Sequence, residues 1–265
     1  MNTVELANMG KASVSTIYFE GTKAIRKTGV SPTEMYFYKS VMHQSHASQI
    51  SAPHLLATEG ESTLVIEYLP TLLDSEEWSS AHIVRALVKL HTAPISVEDS
   101  RLFELAWSDE CTEKALSKLN REARARSKQY FQHFFEHRET IFQPIGPISG
   151  DSNIGNWGKR NSGEFVLFDW ERFCLGSPAI DLAPLLPGMS NPVQVKKFCK
   201  RYLAANETCT IALADMVQQT LVAKVWIAVE VINILHDNKN QRTDEYMAWF
   251  NQVLPEWLKQ TSRAL

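Results

Sequence analysis

Asp151, Asn156 and Asp169 are the residues of this 265-residue chain whose types and spacing could do chemistry together. A carboxylate is followed five positions on by an amide, and thirteen later by a second carboxylate that ends the apolar run Val166-Leu167-Phe168. The first carboxylate can orient an attacking hydroxyl and accept its proton. The amide and the second carboxylate can hold the divalent ions that neutralise phosphate charge. Asp and Asn are also ordinary turn residues, so the five-residue spacing alone carries little weight. The continuation Asp169-Trp170-Glu171 makes coincidence a poor account and points to metal-assisted phosphoryl transfer.

The elements that must position these groups divide near Leu69-Pro70. Before it, residues 13–19 and 22–27 read as strands around the turn Glu20-Gly21. Ser31-Pro32-Thr33-Glu34 opens a helix, with an N-cap hydroxyl, proline in the first turn and glutamate at the third position. Strands are expected at 54–58 and 63–68, joined by Glu59-Gly60-Glu61. Beyond Pro70, residues 80–91, 113–142 and most of the chain after Pro192 carry helical spacing. Asn161-Ser162-Gly163 marks a hairpin tip inside the motif region. The fold class is therefore α+β: residues 1–70 form a small sheet-plus-helix lobe, and residues 71–265 form a larger, mainly helical lobe.

These residues resemble the aminoglycoside phosphotransferase and choline kinase family of small-molecule kinases, which have a protein-kinase-like two-lobed fold. The family's catalytic loop, His-Gly-Asp-x-x-x-x-Asn, is matched by Gly150-Asp151 through Asn156. Its Ile-Asp-Trp-Glu segment is matched by Phe168-Asp169-Trp170-Glu171. The continuation Gly176-Ser177-Pro178-Ala179-Ile180-Asp181-Leu182-Ala183 and the upstream Leu87-Val88-Lys89-Leu90-His91 follow in the family's order. The resemblance implies Asp151 as catalytic base, Asn156 and Asp169 as magnesium ligands, and Asp181 as a support of the loop. It implies ATP and Mg2+ as cofactors and the hydroxyl of an aminoglycoside, choline, thiamine or similar small molecule as acceptor. Two departures stand out, Ser149 where the family has histidine and the bulky Trp157 directly after Asn156.

The phosphate-contacting cation follows from strand register. A basic side chain two positions after a small residue shares its face, which in Lys23-Ala24-Ile25-Arg26-Lys27 selects Arg26, with Lys27 the choice if the strand slips by one. Glu34 is either the ion-pair partner of that cation or a capping-box residue. Asn8-Met9-Gly10-Lys11-Ala12-Ser13 resembles the family's looser nucleotide loop, with Ser13 approaching the phosphates. Adenine is expected on the backbone of Glu67 and Leu69, whose side chains would then matter little.

Composition sets the outer bounds. Apolar residues make up 44% and charged residues 22%, and the net charge of −3 argues against a nucleic-acid partner held by a basic surface. The longest apolar stretch, 221–235, contains Lys224 and Glu230 and is shorter than the ~20 residues of a spanning helix, so it reads as buried and no membrane is expected. Four scattered cysteines and no recognisable leader predict a cytoplasmic chain with reduced thiols. His133-Phe134-Phe135-Glu136-His137 also matches the inverted zinc-peptidase pattern. Trp226, Trp249 and Trp257 either line a cage for a quaternary ammonium or fill the core. The rival to transfer is a kinase-like pseudoenzyme that binds nucleotide only. Oligomeric state is not legible.

Overall fold

The computed structural model describes residues 12–74, 77–78, 80–238 and 240–264. Contacts group the chain into two units, Met1–Glu104 with Pro144–Asp181, and Leu105–Gln143 with Leu182–Leu265. Residues 8–11 of the expected nucleotide loop lie outside the described residues.

In the first unit, β1 (Ser13–Phe19) and β2 (Thr22–Thr28) form a hairpin whose two turn residues, Glu20 and Gly21, both take positive φ (49° and 78°). That turn matches the right-handed twist of its strands. β3 (Leu55–Glu59) and β4 (Thr63–Glu67) complete an antiparallel sheet in the order β1-β2-β4-β3. β4 is central and apolar, with Leu64, Val65 and Ile66 buried. Helix α1 (Pro32–Tyr36) starts where the capping signal places it, Ser31 Oγ accepting from the Glu34 amide at 3.1 Å. A π-helical turn, Phe37–Val41, continues it.

The same unit holds β5 (Thr71–Leu72), α2 (Ala81–His91), β6 (Gly146–Ile148), the hairpin β7 (Trp157–Lys159) and β8 (Phe165–Leu167), and β9 (Cys174–Gly176). β5 pairs with β7, and β6 pairs with β9. The hairpin tip closes as expected, with the Gly163 amide on the Arg160 carbonyl at 2.9 Å. Strands β5, β6 and β9 have two or three residues each, too few for an alternation to show in the sequence.

The second unit contains α3 (Asp109–Lys118), α4 (Arg121–Glu136), α5 (Glu139–Phe142), α7 (Pro192–Ala205), α8 (Leu213–Asp237) and α9 (Thr243–Thr261), while the short α6 (Ala179–Leu182) ends the first unit. The helical spacing expected over 113–142 is carried by three helices. Leu119 turns extended (ψ 151°), and Asn120 recaps the chain by accepting from the Ala123 amide at 2.8 Å. Helix α8 is long and apolar enough to cross a membrane, yet Leu221, Val222, Val225, Val229, Ile232 and Leu235 are all buried at 0% exposure. It is the core helix of this unit. Trp226 and Trp257 are core residues too, their indole N–H groups donating to the Ala106 and Ser190 carbonyls, so they form no exposed cage.

Lys224 is buried on α8, its ammonium donating to the carbonyls of Ala183 (3.1 Å) and Leu186 (2.9 Å). Burial pushes its pKa down to about 7. The folded chain therefore binds fewer protons than the unfolded chain between that value and the ordinary lysine range. Stability must rise with pH across this window, by at most about 1.4 kcal/mol per pH unit. The melting temperature of the wild type, measured against Lys224→Met, is expected to gain as pH goes from 7 to 9. A pH-independent difference between the two proteins would contradict the depressed value.

Candidate active site

The loop after β6 is built on one carboxylate. Asp181, wholly buried, accepts at Oδ1 from Ser149 Oγ (2.8 Å) and the Gly150 amide (3.0 Å). At Oδ2 it accepts from the Ser149 amide (2.8 Å) and faces His91 Nε2 at 3.0 Å. Its carbonyl accepts from Ser152 Oγ. Ser149 Oγ in turn accepts from the Asp151 amide at 3.3 Å. A serine thus supports the loop where the family has histidine, and His91 is a satisfied helix-end residue. Trp157 belongs to the same support, buried and donating from Nε1 to the Ser152 carbonyl at 2.9 Å. Gly150 sits at φ 74°, and a Cβ there would fall on the Arg172 carbonyl oxygen.

The loop presents Asp151 half-buried, its Oδ1 accepting from Asn153 Nδ2 (2.8 Å) and more distantly from the Asn153 amide. Burial holds this carboxyl above the usual carboxylate range, against the pull of the Arg172 guanidinium and the Asn153 bonds. Asn156 is buried and donates from Nδ2 to the Asp151 carbonyl at 2.9 Å, which leaves its Oδ1 as the oxygen donor of the side chain. The Phe168 amide on the Asn156 carbonyl (2.8 Å) closes the base of the hairpin, so Asn156 and Asp169 flank the same two strands.

Asp169 is one of two described non-glycine residues at positive φ (67°). Such a conformation costs an aspartate on the order of 1 kcal/mol and persists where its surroundings fix it. Here Oδ1 accepts from Lys27 Nζ at 2.8 Å. Nζ also lies 2.9 and 2.7 Å from the two oxygens of Glu34, which is 1% exposed. Burial alone would lower the Lys27 pKa, and Glu34 and Asp169 more than reverse that, leaving it raised. The Glu34 carboxyl is raised by its burial, with Lys27 opposing. Trp170 next to Asp169 stacks on Phe37 of the π-helical turn, ring centroids 4.0 Å apart and planes at 9°.

This geometry settles the register left open by the sequence. Lys27, beside Ile25, points inward, and Arg26 shares the outer face with its ion-pair partner Glu59, both about half exposed. Ala24 is buried because β2 is a central strand, so it does not mark the inner face at residue 26. Glu34 is the ion-pair partner, and its carboxylate does not turn back to cap the helix. Ser13 is exposed at the start of β1, paired with Thr28.

The Glu67 amide donates to the His54 carbonyl at 2.9 Å. Its side chain is engaged as well, taking Arg160 Nε at 2.8 Å and Nη2 at 2.7 Å, where an idle side chain was expected. Leu69 packs on Gly158, where a Cβ would lie 2.9 Å from Leu69 Cδ1. The zinc-peptidase pattern is not a site. His137 Nδ1 faces the His133 carbonyl at 2.9 Å, and among the described residues no group of three or more His, Cys, Asp or Glu could hold a metal. The donors that remain, the Asn156 amide oxygen and the Asp169 carboxylate, suit a magnesium ion that takes its other ligands from phosphate and water.

A family model, the phosphotransferase enzyme family, matches residues 21–213. No curated protein sequence matches the chain. Among solved structures, choline kinase LicA from Streptococcus pneumoniae superposes with a TM-score of 0.59 over 96% of each chain at 12% identity. A choline/ethanolamine kinase family protein from Mesorhizobium loti gives 0.62, covering 96% of this chain and 92% of its own, at 13% identity. A thermostable aminoglycoside phosphotransferase APH(4)-Ia mutant, in ternary complex with ADP and hygromycin B, gives 0.58 over 99% of each chain at 12% identity. The fold is the kinase-like α+β fold expected from the sequence.

Removing Lys27 strands Glu34 as a buried carboxylate without a counter-ion. Lys27→Met is expected to cost about 3 kcal/mol of stability, as breaking a buried ion pair typically does. Arg26→Met, losing an exposed pair, should cost less than about 1 kcal/mol. Denaturant unfolding of the two variants checks the order. Equal losses would contradict the buried Lys27 pair.

Proposed function

The chain belongs to the phosphotransferase enzyme family, and we propose that it moves the γ-phosphoryl group of ATP, with magnesium, to a hydroxyl of a small molecule. The observation that carries this reading is the assembly, within one unit, of Lys27 on Asp169 at 2.8 Å and Asn156 on the Asp151 backbone at 2.9 Å. The first pair joins residues 142 positions apart in sequence, the second residues 5 apart. That is more than a turn or a surface ion pair requires.

Asp151 orients the acceptor hydroxyl and takes its proton, held in place by the Asn153 bonds. Lys27, kept charged by Glu34, steadies the non-bridging phosphate oxygens. Asn156 and Asp169 hold the magnesium ion, which when bound neutralises the charge spread over the phosphates. The carbonyl of Glu67 and the amide of Leu69 receive adenine, the Glu67 amide being committed to His54. Ser13 approaches the phosphates from the start of β1. Residues 1–70 serve as the nucleotide-binding lobe, and residues 71–265 carry the catalytic loop and the acceptor site. Positioning and electrostatics supply most of the rate in such a site.

Hygromycin B in the APH(4)-Ia complex and the choline of choline kinase LicA make aminoglycosides and amino alcohols the first acceptors to try. Magnesium-dependent ADP release is to be measured against a panel of amino alcohols, aminoglycosides, thiamine and sugar amines. Acceptor-dependent release is expected, falling about 10²-fold or more in Asp151→Asn while ATP still binds. Unimpaired turnover in Asp151→Asn would sink the assignment. ATP binding with no release anywhere would favour the non-transferring reading.

A further inference from the structure

Arg160 follows β7, near the tip of the hairpin flanked by Asn156 and Asp169. Its guanidinium reaches back to the end of β4 and grips Glu67 with two parallel bonds, Nε to Oε1 (2.8 Å) and Nη2 to Oε2 (2.7 Å). Nη2 also donates to the Ala52 carbonyl (3.0 Å) and Nη1 to Glu164 (2.7 Å). Glu67 Oε2 accepts in addition from the His54 amide at 3.1 Å. Both side chains are largely withdrawn from solvent, at 15% and 22% exposure, so the pair is little screened. Its bonds drive the Glu67 carboxyl below its ordinary range despite burial. A planar fork on a carboxylate fixes orientation as well as distance, which a flexible ammonium does not.

The fork is one of three ties between the same two segments. Thr71 and Leu72 of β5 pair with Lys159 and Gly158 of β7, and Gly158 lacks the side chain that would push Leu69 away. Residues 67–72 are thereby fastened to the hairpin whose base carries Asn156 and Asp169. Arg160 makes no hydrogen bond to either of those residues, nor to the backbone of 67–69.

We propose that Arg160 is a positioning residue that fixes the span between the adenine-binding backbone at 67–69 and the metal-holding pair Asn156 and Asp169. The inference rests on the nucleotide placement given above and deepens it. A ligand that engages both ends at once reads this span, whereas adenosine reads only one end. Loosening the fork should therefore weaken the magnesium-loaded triphosphate and spare the nucleoside.

The test is calorimetric binding of adenosine and of AMP-PNP with magnesium to the full-length wild type, Arg160→Met, Arg160→Lys and the charge exchange Glu67→Arg with Arg160→Glu. Arg160→Met is expected to lose about tenfold in affinity for AMP-PNP with magnesium, since small misplacements of a bound reactant are costly. Adenosine should change by less than about twofold, because its contacts lie on one side of the fork. Arg160→Lys should recover part of the loss, and the charge exchange more of it. The proposal is overturned if a folded Arg160→Met binds AMP-PNP like the wild type, or if both ligands weaken equally. Should Arg160→Met fail to fold, Glu67→Gln, which keeps the side-chain volume and weakens the fork, carries the same comparison. A wild type that binds no nucleotide overturns the functional reading and this proposal with it, and shows at the first titration.

Discussion

The Asp181 carboxylate gathers four polar contacts from three residues in a place without solvent, and the loop from Ser149 to Asn156 takes its shape from that requirement. A buried carboxylate left unsatisfied is costly, so each donor is bound to its place as firmly as the anion is. Two of the donors are the consecutive amides of residues 149 and 150, which fixes the backbone just before Asp151. His91 brings the end of α2 to the same point. Asp151 therefore reaches its position through its neighbours, and only its Oδ1 is engaged, by Asn153.

A second polar centre gathers on Lys27. Lys27 is shared between Glu34 on α1 and Asp169 after β8, so one ammonium ties sheet, helix and hairpin together. The stacked rings of Trp170 and Phe37, with Phe173 at 5.0 Å from Phe37, form a buried aromatic cluster next to Asp169 in the chain. In that apolar setting the ion pairs are stronger than at a surface, and the unfavourable φ of Asp169 is held. Electrostatics and packing act here on the same few residues.

Much of this was readable in the chain. Asp151, Asn156 and Asp169 lie within nineteen positions of one another, and a local motif needs no tertiary knowledge to be seen. The β1–β2 hairpin and the α1 cap announced themselves through Glu20-Gly21 and Ser31-Pro32 for the same reason. The choice between Arg26 and Lys27 was not local. A period of two says which residues share a face, and only Glu34, on another element, says which face is inside. Arg160 carried no signal in the sequence, because its partner is 93 positions away. The break at Leu119-Asn120 was hidden by helical spacing that runs on through it.

Gly150 shows what such a centre demands of the chain that makes it. Its amide serves Asp181, its φ is left-handed, and the Arg172 carbonyl occupies the place a side chain would need. Even alanine would have to push away the backbone that continues from Asp169, spoiling loop and hairpin in one step. Ser149 next door needs only a small hydroxyl and a peptide N–H. Under random mutation the two neighbours should therefore drift at very different rates, with position 150 close to frozen. A lineage could revise how Asp151 is supported, as the serine at 149 illustrates, without ever having room to revise the bend that delivers it.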